Sequence, residues 1–394
     1  MNQPNVTPTL LRNARIVLPD RTADQASLLI HNDRIARLLG SYTNESLTTF
    51  DSVIDLSGLT LFPGFIDVHI HGAMGVDTMA ASAGDLDRVS QFLVTQGVTG
   101  WLPTLVPAPA TDYADSIKSI KEATETNSGA RILGVHYEGP FVNSQQCGAL
   151  RSQFFRSFST ATELDDLPVL GQPAKHMITL APEIDGGIEL VRELHARGWI
   201  VSIGHTRATF ELLDEALAAG ASHMTHFMNA MPPLHHRSPG PVGWGLSHDE
   251  VTCDMIADGV HLDREVLRLL SKMKSADRLL LISDAVAPAG MGDGDYEIWG
   301  ETIKVKDGRT ANGRGAIAGS VISMLDAVRM MLSLGAAETD VAMMAAGNPA
   351  KLLGIDDECG FIAEGKRADL VALDANGNVA LTIIGGRVFE SSEQ

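Results

Sequence analysis

Two histidines one residue apart, His69 and His71, stand at the end of the stretch PGFIDVHIHG at residues 63–72. In an extended strand, residues two apart share a face. Asp67, His69 and His71 are therefore expected on one side, with Ile66, Val68 and Ile70 on the other. A close pair of imidazoles suits zinc or iron. On its own the pair reads equally well as two hydrogen-bonded histidines on a strand. Farther along, Thr104, Glu138, Glu183, His205, His226, Asp258 with His261, and Asp284 each stand at the end of a short apolar run. Singly, a carboxylate in such a place is a solvated group or a helix cap. Jointly, these residues are the ligand types of a divalent metal that activates water, with carboxylates to spare for proton transfer.

The elements that must position them follow from the runs themselves. FIDVHIH, VTGWLPTLV, RILGVHYEG, HMITLAPE, WIVSIGHT, ASHMTHFMN, VTCDMIADGVH and RLLLISDA make eight strand-like segments. Helical patterns intervene, among them GDLDRVSQFLVTQG, GIELVRELHARG, TFELLDEALAAG and DREVLRLLSKM. Eight strand–helix units predict a (β/α)8 barrel of the TIM type, with every strand end aimed into one mouth. An open doubly wound sheet is the alternative, but the glycine-rich phosphate loop that marks it after the first strand is absent. Residues 1–9 read as disordered. The segments that follow them, and the last 35 or so residues, alternate as short strands with polar turns, including a tight turn at NGN. This predicts a small β-sandwich domain built from both termini, residues 1–62 and 355–394, around a barrel at 63–354.

Composition narrows the function. The 394 residues carry 49 acidic and 30 basic side chains, for a net charge of −19. Nucleic acid and anionic membrane are excluded as general partners; an anionic small molecule requires a local basic site. No apolar stretch approaches the roughly 18 residues that span a bilayer, and no secretory leader is expected. Cys147, Cys253 and Cys359 are widely spaced and form no CxxC pair. They suit a reducing cytoplasm.

The motifs PGFIDVHIHG, HYEGPFV, IGHT, THFMNAMPPLHHRSPGPVG, ADGVH, LISDA, AIAGS and GNPAKLLG, in this order over nearly the whole chain, resemble the N-acetylglucosamine-6-phosphate deacetylases of the metal-dependent amidohydrolase superfamily. The resemblance implies that Glu138, His205 and His226 hold the metal, with Glu138 standing where other amidohydrolases carry a carboxylated lysine. It implies that Asp284 is the catalytic acid and base. Asp258, His261, Asn229, Ala230, Ala149 and the loop residues Ile317, Ala318 and Gly319 match substrate-contact positions. Arg237 matches a phosphate-binding arginine, in a long Pro- and Gly-rich loop that stands where a helix is expected after strand six. That loop, with His235 and His236, supplies positive charge the acidic chain otherwise lacks. A homodimer with substrate contacts crossing its interface is implied as well. His136 and His223 are assigned to supporting hydrogen bonds, and Met330, Met331, Met343 and Met344 to core filling.

One position departs from the pattern. Many relatives carry a GAH motif after EGPF, and its histidine polarises the acetyl carbonyl. This chain has CGAL, and Leu150 cannot donate a hydrogen bond. The chain keeps His69 and His71, which other relatives replace, so a second ion can supply the missing Lewis acid. The expected cofactor is thus one or two divalent ions, zinc or iron, and the expected reaction is removal of acetate from an N-acetylated amino-sugar 6-phosphate. The sequence leaves the sugar epimer open. The rivals are another amidohydrolase reaction on an N-acyl or cyclic amide, and a catalytically silent sugar-phosphate sensor.

Overall fold

The computed structural model describes residues 8–40, 50 and 52–390. Strands Thr9–Val17, Thr22–His31, Arg34–Leu39, Ser52–Asp55 and Thr60–Pro63 from one end of the chain join Leu370–Leu373, Val379–Ile384 and Arg387–Glu390 from the other in a single eight-stranded sheet. The sheet folds over on itself. Backbone bonds from Ile35 N–H to Lys366 O and from Gly365 N–H to Ile35 O, both 2.8 Å, bring its far edge back to the start of Leu370–Leu373. Residues from both halves, such as Leu28, Ile30, Leu370 and Ile383, share one core. The turn at Asn376–Asn378 lies where the sequence places it, closed by Asp374. The first strand already begins at Thr9, inside the segment expected to be disordered; residues 1–7 lie outside the described residues.

The barrel strands are Phe65–Ile70, Val98–Leu105, Gly134–Glu138, Lys175–Leu180, Ile200–Ile203, His223–Met224, Thr252–Ile256 and Leu279–Ile282, all parallel and paired in chain order. Closure between the eighth strand and the first uses the site's own backbone: Asp284 N–H donates to His69 O at 2.9 Å and His71 N–H to Ala285 O at 2.8 Å. The helices cover the outside. Ala83–Thr95 begins at a capping box between Ser82 and Asp85 and buries Leu86, Val89 and Leu93, spaced three and four apart. Thr209 and Asp263 cap Phe210–Ala219 and Arg264–Met273 through their side chains, which accept from Leu212 N–H and Glu265 N–H. Met331 and Met344 are core residues as expected. No helix among the described residues is long and apolar enough to cross a membrane.

Three details differ from the sequence expectation. A register shift between Asp67 and Ile70 breaks the two-residue period of the first strand. Ile66 and Val68 consequently pack inside the barrel and Ile70 outside it. Asp67 does not join the histidines; its carboxylate accepts from Ser283 Oγ at 2.5 Å and from the backbone N–H groups of Ser283 and His69 at 3.3 Å. Second, the long loop after strand six postpones a helix and does not replace it: Gly240–Ser247 follows, tied down by the buried Lys274, whose Nζ donates to Gly245 O and His248 O. Third, strand eight is followed by an unexpected three-stranded antiparallel sheet, Gly294–Ile298, Glu301–Lys306 and Arg309–Ala311.

Inside the barrel, an aliphatic layer that includes Ile66, Val68, Leu102, Ile256 and Ile282 gives way to a polar layer. His136 Nδ1 lies 3.1 Å from Val68 O, and a carbonyl only accepts, so the proton is on Nδ1. His136 Nε2 must then accept from Thr179 Oγ1 at 2.8 Å, Thr179 from Thr225 at 2.7 Å, and Thr225 from Ser202 at 2.5 Å. One carbonyl therefore sets the direction of four hydrogen bonds. Burial drives the His136 pKa down to about 3, so the ring stays neutral and the direction holds. Gly204 leaves room for this layer: a Cβ there would stand 2.6 Å from Thr179 Cγ2 and 3.1 Å from Thr225 Cβ.

Candidate active site

Just above the polar layer, three strand-end residues adopt left-handed backbone: His205 at φ 47°, His226 at 33° and Asp284 at 49°. A non-glycine residue there costs about 1–2 kcal/mol, so the surroundings must hold it. Asp284 is pinned on both sides, through its N–H to His69 O and through its carbonyl, which accepts from Ser320 N–H at 2.7 Å. The buried Asp254 carboxylate accepts from His226 N–H and, at 2.9 Å, lies against His223 Nε2. His223 is thus a supporting residue, as its sequence context suggested. Glu183 at the fourth strand end is not a ligand. Its oxygens accept from Asn143, Thr206 and the Arg207 N–H at 2.6–2.8 Å, fixing the turn that carries His205. Thr104 Oγ1 accepts from Ile70 N–H at 3.0 Å and steadies the first strand.

The turns bring five side chains to one point. Glu138 lies between two pairs of imidazoles. Its Oε1 is 2.9 Å from His205 Nε2 and 3.0 Å from His226 Nε2, while Oε2 is 3.2 Å from His71 Nε2. His69 Nε2 is 3.7 Å from Oε1 and 3.1 Å from His71 Nε2. His205 and His226 face each other across 3.1 Å. Asp284 Oδ1 sits over the first pair, 3.4 Å from His69 Nε2 and 3.3 Å from His71 Nε2. All of these side chains are buried.

The donor chemistry fits a metal. His205 Nδ1–H donates to Gln146 O at 2.7 Å, which fixes the tautomer and turns the Nε2 lone pair toward Glu138. Two acceptors 2.9 Å apart repel unless a cation lies between them. His69, His71 and His226 keep a buried Nδ1 with no partner, so the polar contacts of these rings lie on the Nε2 side. Without a metal, protons must serve. At His71 burial opposes the charge, but bonds to Asp284 and Glu138 outweigh it and lift the pKa to about 10; at His226 Glu138 does the same, to about 9. Burial wins at His69, which is driven well down. Burial would raise Glu138, yet the imidazoles hold it well below the usual range. Two triads, His69–His71–Glu138 and Glu138–His205–His226, each gather their ligand atoms within 4.8 Å, with Glu138 common to both.

A cavity of about 250 Å³ opens above this floor. Of the residues matched to substrate contacts, Ala149, Asn229, Ala230, His261, Ile317 and Gly319 line it. Gly319, at φ 61°, passes so close over Asp284 that a Cβ would lie 2.8 Å from Asp284 O. Asp258 stands behind the wall and accepts from His261 Nδ1–H at 2.7 Å, leaving His261 Nε2 to face the cavity. Ala318 is buried beneath the loop. Arg237 is exposed on its own loop and does not line the cavity of its own chain.

Residues 60–389 match the model of the amidohydrolase family. The chain belongs to the amidohydrolase family. Among the relatives of this amidohydrolase, N-acetylglucosamine-6-phosphate deacetylase of Bacillus subtilis (strain 168) is 39% identical over 359 residues, 90% of this chain and 88% of that protein. N-acetylgalactosamine-6-phosphate deacetylase of Escherichia coli O157:H7 is 36% identical, over 86% of this chain and 89% of that one. The crystal structure of N-acetylglucosamine-6-phosphate deacetylase from Pasteurella multocida superposes with a TM-score of 0.89 at 30% identity, covering 98% of this chain and 100% of the other. The family is metal-dependent, and among the described residues of this amidohydrolase the His/Glu cluster is the group that can hold the ion.

Sequence reasoning missed three contributors. Gln146 acts through its carbonyl, which has no signature in sequence. Ser283 acts by holding Asp67. Trp299, on the unexpected sheet, packs edge-to-face on His71 with ring centroids 5.4 Å apart; the residue alternation around it is that of any strand.

Metal binding must displace the protons on His71 and His226. Both rings are protonated at pH 7 in the metal-free protein, given pKa values of about 10 and 9. Loading at pH 7 should release about two protons, and affinity should rise with pH until those values are passed. Calorimetry in buffers of different ionisation enthalpy counts them; no proton release would mean that the rings are neutral before the metal arrives.

Proposed function

We propose that this amidohydrolase hydrolyses the acetamide of N-acetyl-D-glucosamine 6-phosphate to D-glucosamine 6-phosphate and acetate, in amino-sugar catabolism or cell-wall sugar recycling. The observation that carries the reading is the place of Asp284, whose Oδ1 lies within 3.4 Å of two imidazoles of the cluster at the floor of a sugar-sized cavity. Water adds to the acetyl carbon; Asp284 takes the proton it loses and delivers it to the amine nitrogen as the C–N bond breaks. His261, oriented by Asp258, and Asn229, Ala230, Ala149 and the Ile317–Gly319 loop hold the sugar. The N-acetylgalactosamine-6-phosphate deacetylase relative at 36% identity supports a second reading, the galactosamine epimer.

His69, His71, Glu138, His205 and His226 would hold the divalent ions, zinc or iron, one triad for each of two ions and Glu138 common to both. The metal supplies Lewis acidity, which acidifies water and polarises a carbonyl. Leu150 offers no hydrogen bond to that carbonyl, so two ions suit this chain better than one. Three free cysteines support a cytoplasmic setting. Among the described residues no Lys or Arg lines the cavity, while a phosphate needs a cation. The chain therefore acts as a homodimer in which Arg237 of one copy serves the pocket of the other.

Acetate release from N-acetylated glucosamine and galactosamine, each with and without 6-phosphate, tests the reading; turnover indifferent to phosphate, or none, defeats it. Asp284→Asn should keep metal and lose at least about a hundredfold in kcat, and near-normal turnover would remove Asp284 from its role. Arg237→Ala should raise KM for the phosphorylated sugar by about one to two decades, the scale of a charge-assisted bond, and leave the unphosphorylated one unaffected; equal loss on both would make Arg237 structural. Elemental analysis of protein purified without chelator should approach two metals per chain, and one per chain at full activity excludes the second ion.

A further inference from the structure

The cavity has one apolar corner that metal chemistry and sugar recognition leave unexplained. Leu150, in the loop after strand three, lines it; behind Leu150, on the arc of strands one to three, pack Met79 after strand one, Val106 just past the end of strand two and Val142 after strand three. Trp299 covers it from the sheet inserted after strand eight. The polar contacts, Asn229, Ala230 and His261, come instead from the ends of strands six and seven.

The backbone under Trp299 shows that the indole has a task. Ile298 pairs with Glu301, so Trp299 and Gly300 form a two-residue hairpin turn. Both have positive φ, 53° and 77°. That is the signature of a type I′ turn, where Asn-Gly is the favoured pair and a bulky aromatic at the first position is strained. The strain is offset by packing. The indole touches two apolar clusters, one around Leu150 and one around Val286 and Ala318, and stands over the His71 ring.

We infer that Trp299 and Leu150 form the acyl pocket of the enzyme and limit its substrates to short N-acyl groups. The inference rests on the deacetylase reading above. The carbonyl carbon of the scissile amide carries three substituents. Its oxygen points to the imidazole–carboxylate floor, and its nitrogen leads to the sugar on the arc of strands six and seven. The alkyl group is left for the wall beside His71. Leu150 is 4% exposed and Trp299 packs against it, so this wall is already filled and an alkyl group longer than a methyl would press on it. At this wall the chain presents an alkyl side chain, Leu150, that meets the acyl group.

The test compares kcat/KM for N-acetyl, N-propionyl and N-butyryl glucosamine 6-phosphate. Trp299→Asn removes the indole and leaves the residue pair that the turn prefers, so the hairpin is preserved; Leu150→Ala opens the corner from the other side. An added methylene in an apolar pocket changes discrimination by about 10–200-fold. The wild type should fall steeply from acetyl to butyryl, and each variant should raise the butyryl-to-acetyl ratio at least about tenfold. A ratio unchanged in both variants, with wild-type acetyl turnover intact, overturns the acyl pocket alone. A wild type that releases no acid from any of the three overturns the deacetylase reading and the pocket with it.

Discussion

A single buried carboxylate organises this molecule. Glu138 meets four imidazole nitrogens within 3.7 Å, dividing its two oxygens between them. Burying an anion is costly unless it is paired and fully hydrogen-bonded. Burying four imidazoles with their lone pairs converging is costly for the opposite reason. Neither half is tolerable alone, and together they still call for positive charge. The protons drawn to His71 and His226 measure that demand, and a divalent cation meets it better because it needs lone pairs and not protons. Removing Glu138 would therefore unsettle four histidines on three strand ends at once.

The barrel beneath is arranged to keep those rings from moving. TIM-type interiors are usually filled by branched aliphatic side chains. Here a layer of His136, Thr179, Thr225 and Ser202 sits directly below the site, and its hydrogen bonds run one way because they end on the Val68 carbonyl. The His136 ring then packs edge-to-face on His69 with centroids 4.7 Å apart. A neutral ring with a fixed tautomer is a firm support that adds no charge to a floor already crowded with it. The left-handed turns at His205, His226 and Asp284 are the other half of the arrangement. Each turns the chain sharply as the strand ends, and each is held by a bond to a neighbouring strand or loop.

What could be read from the sequence was whatever chemistry concentrates at strand ends. Glu138, His205, His226 and Asp284 follow apolar runs, so strand and site announced each other. The helical patterns GDLDRVSQFLVTQG and TFELLDEALAAG became helices that start at the caps Ser82 with Asp85 and Thr209. Contributions made by backbone stayed hidden. The Gln146 carbonyl that orients His205 could belong to any residue type, and the register shift that separates Asp67 from His69 leaves the apolar alternation of FIDVHI intact. The helix Gly240–Ser247 was obscured by its three glycines, a poor helix-forming composition rescued by Lys274 on its final carbonyls. Arg237 was legible as a cation but not as one exposed outside the cavity of its own chain, because residue spacing does not say where a long loop settles relative to the barrel mouth.

The cavity is asymmetric in the way an amide is asymmetric. An amide joins a short acyl group to a larger amine, and hydrolysis succeeds when the carbonyl is held while both ends are told apart. Here the floor gathers the charge, the side of strands one to three shows Leu150 backed by Val106 and Val142, and the arc of strands six and seven offers Asn229, Ala230 and His261. Asp284, from strand eight, stands between the two arcs and closes the barrel through His69. In the proposed reaction, Asp284 would take a proton from water on the floor and hand it to the amine from this position without its side chain leaving its turn. On the proposed reading, the residue that joins the ends of the barrel also serves both partners of the scissile bond, and its backbone bonds to His69 O and Ser320 N–H hold it there against the strain of its turn.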